Sequence, residues 1–289
     1  MDFIIDAINE WIKSFLIEAI TGNLSNMFAD VNTKVATIAG EVGKTPEQWN
    51  SGVFSMINSL SQSVIVPIAG LVIAAILSYE LIHMIVEKNN MHDFDTFIFF
   101  KWIIKAGIAA YVVSHTFDFI VAIFEVAQTM VQQSAGVIDA NASIDISSAL
   151  ASITTELEAK GLGELFALML ETWVVSFAMT VMGACITIIL FGRMIEIYIY
   201  ASVGPLPFAT FANHEWGNIG TNYVRGLAAL GLQGFLIMIC VGIYAVLVNA
   251  LSLGGDLQAS IWSCAAYTVL LCFSLFKTGS VAKSILNAH

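Results

Sequence analysis

The chain has 289 residues, of which 58% are hydrophobic and only 11% charged, with a mean hydropathy of +0.82 and a formal net charge of −11. A soluble domain carries about 25% charged residues, so the composition excludes a water-soluble globule and describes a polytopic membrane protein. The acidic balance argues against the basic surface of a nucleic-acid-binding domain.

From the first residue, Asp2 opens the chain without a basic leader segment, and no cleavable signal peptide is expected. Residues 2–20 read as an amphipathic helix. Phe3, Ile4, Ile8, Trp11, Ile12, Phe15, Leu16 and Ala19 recur at three and four, with Asp6, Asn9, Glu10 and Lys13 on the other side. Such a helix lies in a membrane interface or docks against other helices or a sister subunit. Its acidic polar face would not attract anionic lipid. Residues 21–61 are mixed and moderately polar, with a helix start at Thr45-Pro46 and Glu47 in the first turn, where negative charge suits the helix dipole.

Five spans follow. Val64 to Val86 would rise about 34 Å as a helix, enough for a hydrocarbon core of about 30 Å, with Pro67 in its first turn. The others are 98–124, 165–191, 224–251 and 259–276, with an outer loop at 126–164. The segment 194–218 is the ambiguous piece: Pro205 and Pro207 remove backbone donors and bias Gly204 and Leu206 away from helix. Gly226, Gly231, Gly234 and Gly242 in the fourth run suit close helix contact in lipid. Cys185, Cys240, Cys264 and Cys272 lie in apolar runs without CxxC spacing and read as packing residues.

Charge decides the threading. Lys and Arg collect at cytoplasmic span ends. A five-span arrangement, with 194–211 not crossing, puts Lys88, Lys101, Lys105, Arg193, Arg225, Lys277 and Lys283 inside. The N-terminus is then outside and the C-terminus inside, residues 1–61 are extracytoplasmic, and 62–289 form the membrane domain. The segment 194–218 becomes a cytoplasmic-side turn or shallow re-entrant element, because irregular backbone at membrane depth needs shielding by protein or water. Six spans are the alternative.

Ionisable residues inside spans are costly unless paired or wet. Counted outward from the loop near Met91 and His92, Glu80 stands at the depth of Lys105, and His83 at the depth of Lys101. A helical hairpin would pair Glu80 with Lys105 and so fix its register. The competing reading is a proton or ion relay. Arg193 and Glu196, three apart, are expected to pair locally. His115, Asp118, Glu125 and Glu171 read as groups solvated at the outer interface. Asp95 reads as an N-cap for the second span rather than part of a metal motif with His92 and Asp93. No Walker loop, GxSxG, HExxH or dinucleotide-type glycine motif occurs, so no catalytic, cofactor or metal site is expected.

The passage "VGPLPFATFANHEWGNIGTNYVRGLAALGLQGFLI", with the five-span layout, resembles the TrbL-like polytopic inner-membrane subunits of conjugation and type IV secretion systems. In that resemblance Gly204, Pro205 and Leu206, followed by Pro207, form the turn. Trp216 is the aromatic anchor, and Tyr223 and Arg225 open the next helix. His214 and Glu215 stand where such proteins often carry basic residues. The short, acidic extracytoplasmic parts look more like the versions from Gram-positive mobile elements. The resemblance covers the C-terminal half most fully and the N-terminal half by architecture.

The resemblance implies an all-α, non-enzymatic bundle that forms a homo-oligomeric ring with other secretion subunits and ATPases. Single-stranded DNA with an attached relaxase would pass transiently. Lys88, Arg225, Lys277 and Lys283 would form a cytoplasmic basic rim, a feature the positive-inside rule also explains without a ligand. The alternatives are a small ion or solute transporter or channel, and a structural membrane protein of a mobile element.

Overall fold

The computed structural model describes residues 2–87, 96–142, 153–213, 216–251 and 257–288, and every regular element among them is helical. The chain divides into two compact units. The first comprises Met1–Val42, Val131–Leu190 and Leu236–Thr278; the second comprises Gly43–Met130, Phe191–Phe235 and Gly279–His289.

In the first unit, α1 runs Asp2–Val42, twice the length expected from residues 2–20. The reason is a second apolar stripe. Leu16, Ile20, Leu24, Met27, Val31, Val35, Ile38 and Val42 recur at three and four and are all buried. They pack against Leu165, Val175, Met179 and Ile186 of α7 (Leu162–Val203), Ile237, Val241 and Tyr244 of α9 (Gly217–Leu251), and Ile261 and Leu271 of α10 (Leu257–Ile285). Packing of such a stripe, more than propensity, stabilises a helix, so the intervening polar residues do not stop it.

The amphipathic face expected over 2–20 divides. Leu16 enters the core, whereas Ile4, Ile8, Trp11 and Phe15 stay exposed, the last two with stacked rings 6.2 Å apart. Polar contacts tie the same unit: Lys13 Nζ donates to the Glu158 carbonyl at 2.7 Å, and Gln258 Nε2 to Glu171 Oε1 at 2.7 Å. The four cysteines are free, with Cys264 and Cys272 buried in the apolar core.

In the second unit, Thr45 starts α2 (Pro46–Trp49) with a full capping box. Gln48 N donates to Thr45 Oγ1 at 3.3 Å, and Thr45 N donates to Gln48 Oε1 at 3.1 Å. Asn50 caps α3 (Ser51–Leu60), its side chain accepting from Val53 N at 2.9 Å.

The first span therefore begins earlier than Val64. A π turn over Ser61–Ile65 joins α3 to α4 (Val66–Glu87), giving a continuous helical run over Ser51–Val86. Pro67 lies inside that run rather than at its start. Proline lacks the donor for the carbonyl four residues back, and its ring crowds that carbonyl. The wider turn just before it accommodates both effects.

The second span is not one straight helix. α5 (Thr96–Ser114) and α6 (Thr116–Ala142) meet at His115 with a bend of 64°. Ser114 and Thr116 hydroxyls donate to carbonyls of the preceding turn, on Tyr111, Val112 and Val113, at 2.9–3.0 Å. Side-chain bonds of this kind often bend helices. α6 also turns residues 126–142 of the expected outer loop 126–164 into helix, with a further helical stretch at 153–158.

α7 continues past the expected end at 191 to Val203, so Met194 begins no separate segment. At 42 residues it is about 63 Å long, twice the hydrocarbon thickness. Four described helices are long and apolar enough to cross a membrane, or five if the bent pair counts as one span. This is an all-α polytopic bundle.

Candidate functional site

The element after Gly204 belongs wholly to the second unit. Contrary to expectation, Gly204 keeps right-handed helical angles, φ −47° and ψ −44°, and Pro205 and Pro207 start the short helix α8 (Pro205–Ala209). Both prolines fall in its first turn, where backbone N–H groups have no partner within the helix and proline is tolerated. A 3-10 turn, Thr210–Ala212, follows. Pro205, Phe208 and Ala209 are buried, and α8 packs on α4 and α5.

Close contacts hold this turn. A Cβ on Gly204 would lie 2.6 Å from Ile120 Cδ1, 2.9 Å from Tyr223 Oη and 3.0 Å from Thr116 Cγ2. The turn thus seats directly on the first residues of α6, just past the bend. Tyr223 Oη donates to the Tyr200 carbonyl at 2.5 Å, and its ring stacks on Tyr200 at 5.8 Å. Thr210 Oγ1 donates to the Pro207 carbonyl at 2.7 Å and accepts from Gly220 N at 3.0 Å, clamping the turn to the start of α9. Leu206 packs at the edge of this core. Trp216 is half exposed and Arg225 exposed. His214 and Glu215 lie outside the described residues.

The structure brings Glu80 and Lys105 together as an ion pair between α4 and α5. Beside it, Trp102 Nε1 donates to the Leu77 carbonyl at 3.2 Å. His83 lies against the Tyr79 ring, whereas Lys101 faces an apolar groove. Reversing either charge alone, Glu80→Lys or Lys105→Glu, is expected to lower stability by about 1–2 kcal/mol. That is below the 3–5 kcal/mol of a fully buried pair, because the Lys105 side chain keeps 38% exposure. The double reversal should recover most of the loss in thermal unfolding in detergent; simply additive losses would show that the pair is not coupled.

The expected Arg193–Glu196 pair does not form. Arg193 points inward, 6% exposed, and its guanidinium donates to the Leu230 carbonyl at 3.2 and 3.4 Å. Glu196, one turn on and half-buried, accepts from Lys283 Nζ at 2.8 Å. Three residues turn a helix by about 300°, which separates a buried position from a partly wet one here. Of the expected basic rim, Arg225 and Lys277 are exposed, Lys283 is paired with Glu196, and Lys88 lies outside the described residues, as do His92, Asp93 and Asp95.

A further charged pair, with its cation buried, was not anticipated either. In the first unit, Lys34 is buried, pairs with Asp30 and donates to the Met179 carbonyl at 3.0 Å. The signal was present: Asp30 and Lys34 sit four apart beside the stripe of Met27, Val31 and Val35. Among the described residues no cluster of three or more His, Cys, Asp or Glu could hold a metal ion.

In comparison with known families, the family described as TrbL/VirB6 plasmid conjugal transfer like protein matches residues 31–205. The matched stretch runs from within α1 to Pro205. It includes the N-terminal half from residue 31 onward and meets the turn only at Gly204 and Pro205. This reverses the expected coverage, since most of the passage from Val203 onward lies beyond it. No curated protein and no solved structure matches the chain.

Proposed function

Because the chain belongs to the TrbL/VirB6 family of conjugal-transfer proteins, a membrane subunit of conjugation and type IV secretion systems, we propose that it scaffolds or lines the passage for single-stranded DNA with its attached protein. The family assignment over 31–205, joined to four or five apolar helices, is the observation that carries this reading. The protein is a multi-pass protein of the inner membrane that associates with other components of the secretion system.

Its role is mechanical. The chain carries no Walker-type phosphate loop, so partner ATPases supply the energy. Copies of the chain form a ring, with the N-terminal segment outside and the C-terminus in the cytoplasm. The exposed stripe of Ile4, Ile8, Trp11 and Phe15 suits a bilayer interface or a neighbouring subunit.

Deleting the gene from its mobile element is expected to reduce transfer to background, and supplying the intact chain in trans to restore it. Electron microscopy of the purified particle should then show a closed ring. Unchanged transfer on deletion would refute the secretion role. A monomer that alone moves ions or solutes across vesicles would favour a transporter.

A further inference from the structure

In the second unit, α5, the start of α6 and the turn after α8 enclose an open groove of about 610 Å³. That is within the range of ligand sites, about 300–1,000 Å³. Its walls are apolar except at one place. Ile108 and Phe119 line one side and Phe208 and Phe211 the other, with Lys101 and Lys105 together toward the N-terminal end of α5. Ile108 is 60% exposed, so the groove opens outward.

The two lysines differ. Lys105 is neutralised by Glu80. Lys101 is exposed, and among the described residues it has no ion-pair partner and no carboxylate lines the groove. Among the described residues the site therefore combines a hydrocarbon slot with one cation that no carboxylate faces. From Lys101 to Val112, the last groove residue of α5, the helix rises about 16 Å, enough length for much of an acyl chain to lie along it. An ammonium beside apolar surface in a bilayer is well satisfied by a lipid phosphate, and basic pockets between membrane helices bind anionic headgroups.

We propose that this groove is a binding site for an anionic phospholipid, with the phosphate at Lys101 and an acyl chain against Ile108, Phe119, Phe208 and Phe211. The lipid touches α5, α6 and the turn after Gly204 together, so it braces that turn from its open side. This assignment rests on the membrane character of the chain and is independent of any DNA passage.

The full-length protein in mild detergent is to be examined by native mass spectrometry with phosphatidylglycerol and phosphatidylcholine of identical acyl chains. Wild type should retain phosphatidylglycerol preferentially. Lys101→Gln should lower that preference about fivefold, the effect of one cation at a membrane surface, without disturbing the Glu80–Lys105 pair. Lys101→Arg should keep the preference. Lys160→Gln, which lies in the other unit, should leave it unchanged. Ile108→Trp should reduce retention of both lipids by filling the slot. A photocrosslinking residue in place of Ile108 should form lipid adducts in membranes. Equal retention of the two lipids by wild type, an unaltered preference in Lys101→Gln, or crosslinking of position 108 to a second copy of the chain would overturn the assignment.

Discussion

Gly204→Val is expected to destabilise the second unit by about 2–3 kcal/mol and to reduce complementation of transfer at least tenfold. The smallest side chain already fails here. A Cβ would lie 2.6 Å from Ile120 Cδ1, 2.9 Å from Tyr223 Oη and 3.0 Å from Thr116 Cγ2, and Ile120 and Thr116 are themselves fully buried. Tyr223 has little room to yield, because its hydroxyl is bound to the Tyr200 carbonyl and its ring is stacked on Tyr200. Overpacking a filled core costs about 1–3 kcal/mol, and valine adds two methyl groups to that first clash. The natural control is Gly70 in α4, where a Cβ would meet nothing within 4 Å. Gly70→Ala should be neutral or stabilise by up to about 1 kcal/mol through helix propensity. Thermal unfolding in detergent and mating frequency check both. Equal behaviour of Gly204→Val and wild type would mean that the turn does not seat on α6.

The residues themselves explain what could be read in advance. Hydrocarbon demands long uninterrupted apolar runs, so the all-helical class and the span cores were legible in composition. The pairing of Glu80 with Lys105 was legible because a short connection fixes which depths meet. By contrast, the bend at His115 has no local signature: hydroxyls fold back onto carbonyls there, but they do so equally at Thr33 and Thr129 inside continuous helix. The extension of α1 was hidden because each apolar residue of its buried stripe is separated by polar ones, so average polarity masked a regular spacing. Arg193 and Glu196 fit a local pair by separation alone. Only the packing of α7 shows that one faces inward, to the Leu230 carbonyl, and the other reaches Lys283. Pro205 and Pro207 signalled a break correctly, but not that the break would be a single helical turn. Tertiary contacts at Gly204, absent from any local pattern, determine that.

Asp30 and Lys34 should respond unequally to loss of a partner, and the inequality tests where the charge is buried. The Lys34 side chain is 10% exposed and that of Asp30 42%. Asp30→Asn therefore leaves an ammonium in the core of the first unit with neutral acceptors alone, the Met179 carbonyl and the amide oxygen of the new side chain. Breaking a buried pair from one side costs about 3–5 kcal/mol, and the lower end applies because both neutral acceptors stay in place. Lys34→Met does the opposite. It removes the buried charge, fills the space with a flexible apolar chain, and leaves a carboxylate that is 42% exposed; the expected loss is below about 1 kcal/mol. Gly183 gives an independent handle, since a Cβ there would come within 3.0 Å of Lys34 Cε. The double variant Asp30→Asn/Lys34→Met should match Lys34→Met alone, because no buried charge remains to be stranded. Melting temperatures in detergent report the order directly. If Lys34→Met proved as damaging as Asp30→Asn, the energy would reside in the ion pair itself, and the buried ammonium would not be the quantity that the Asp30 side chain controls.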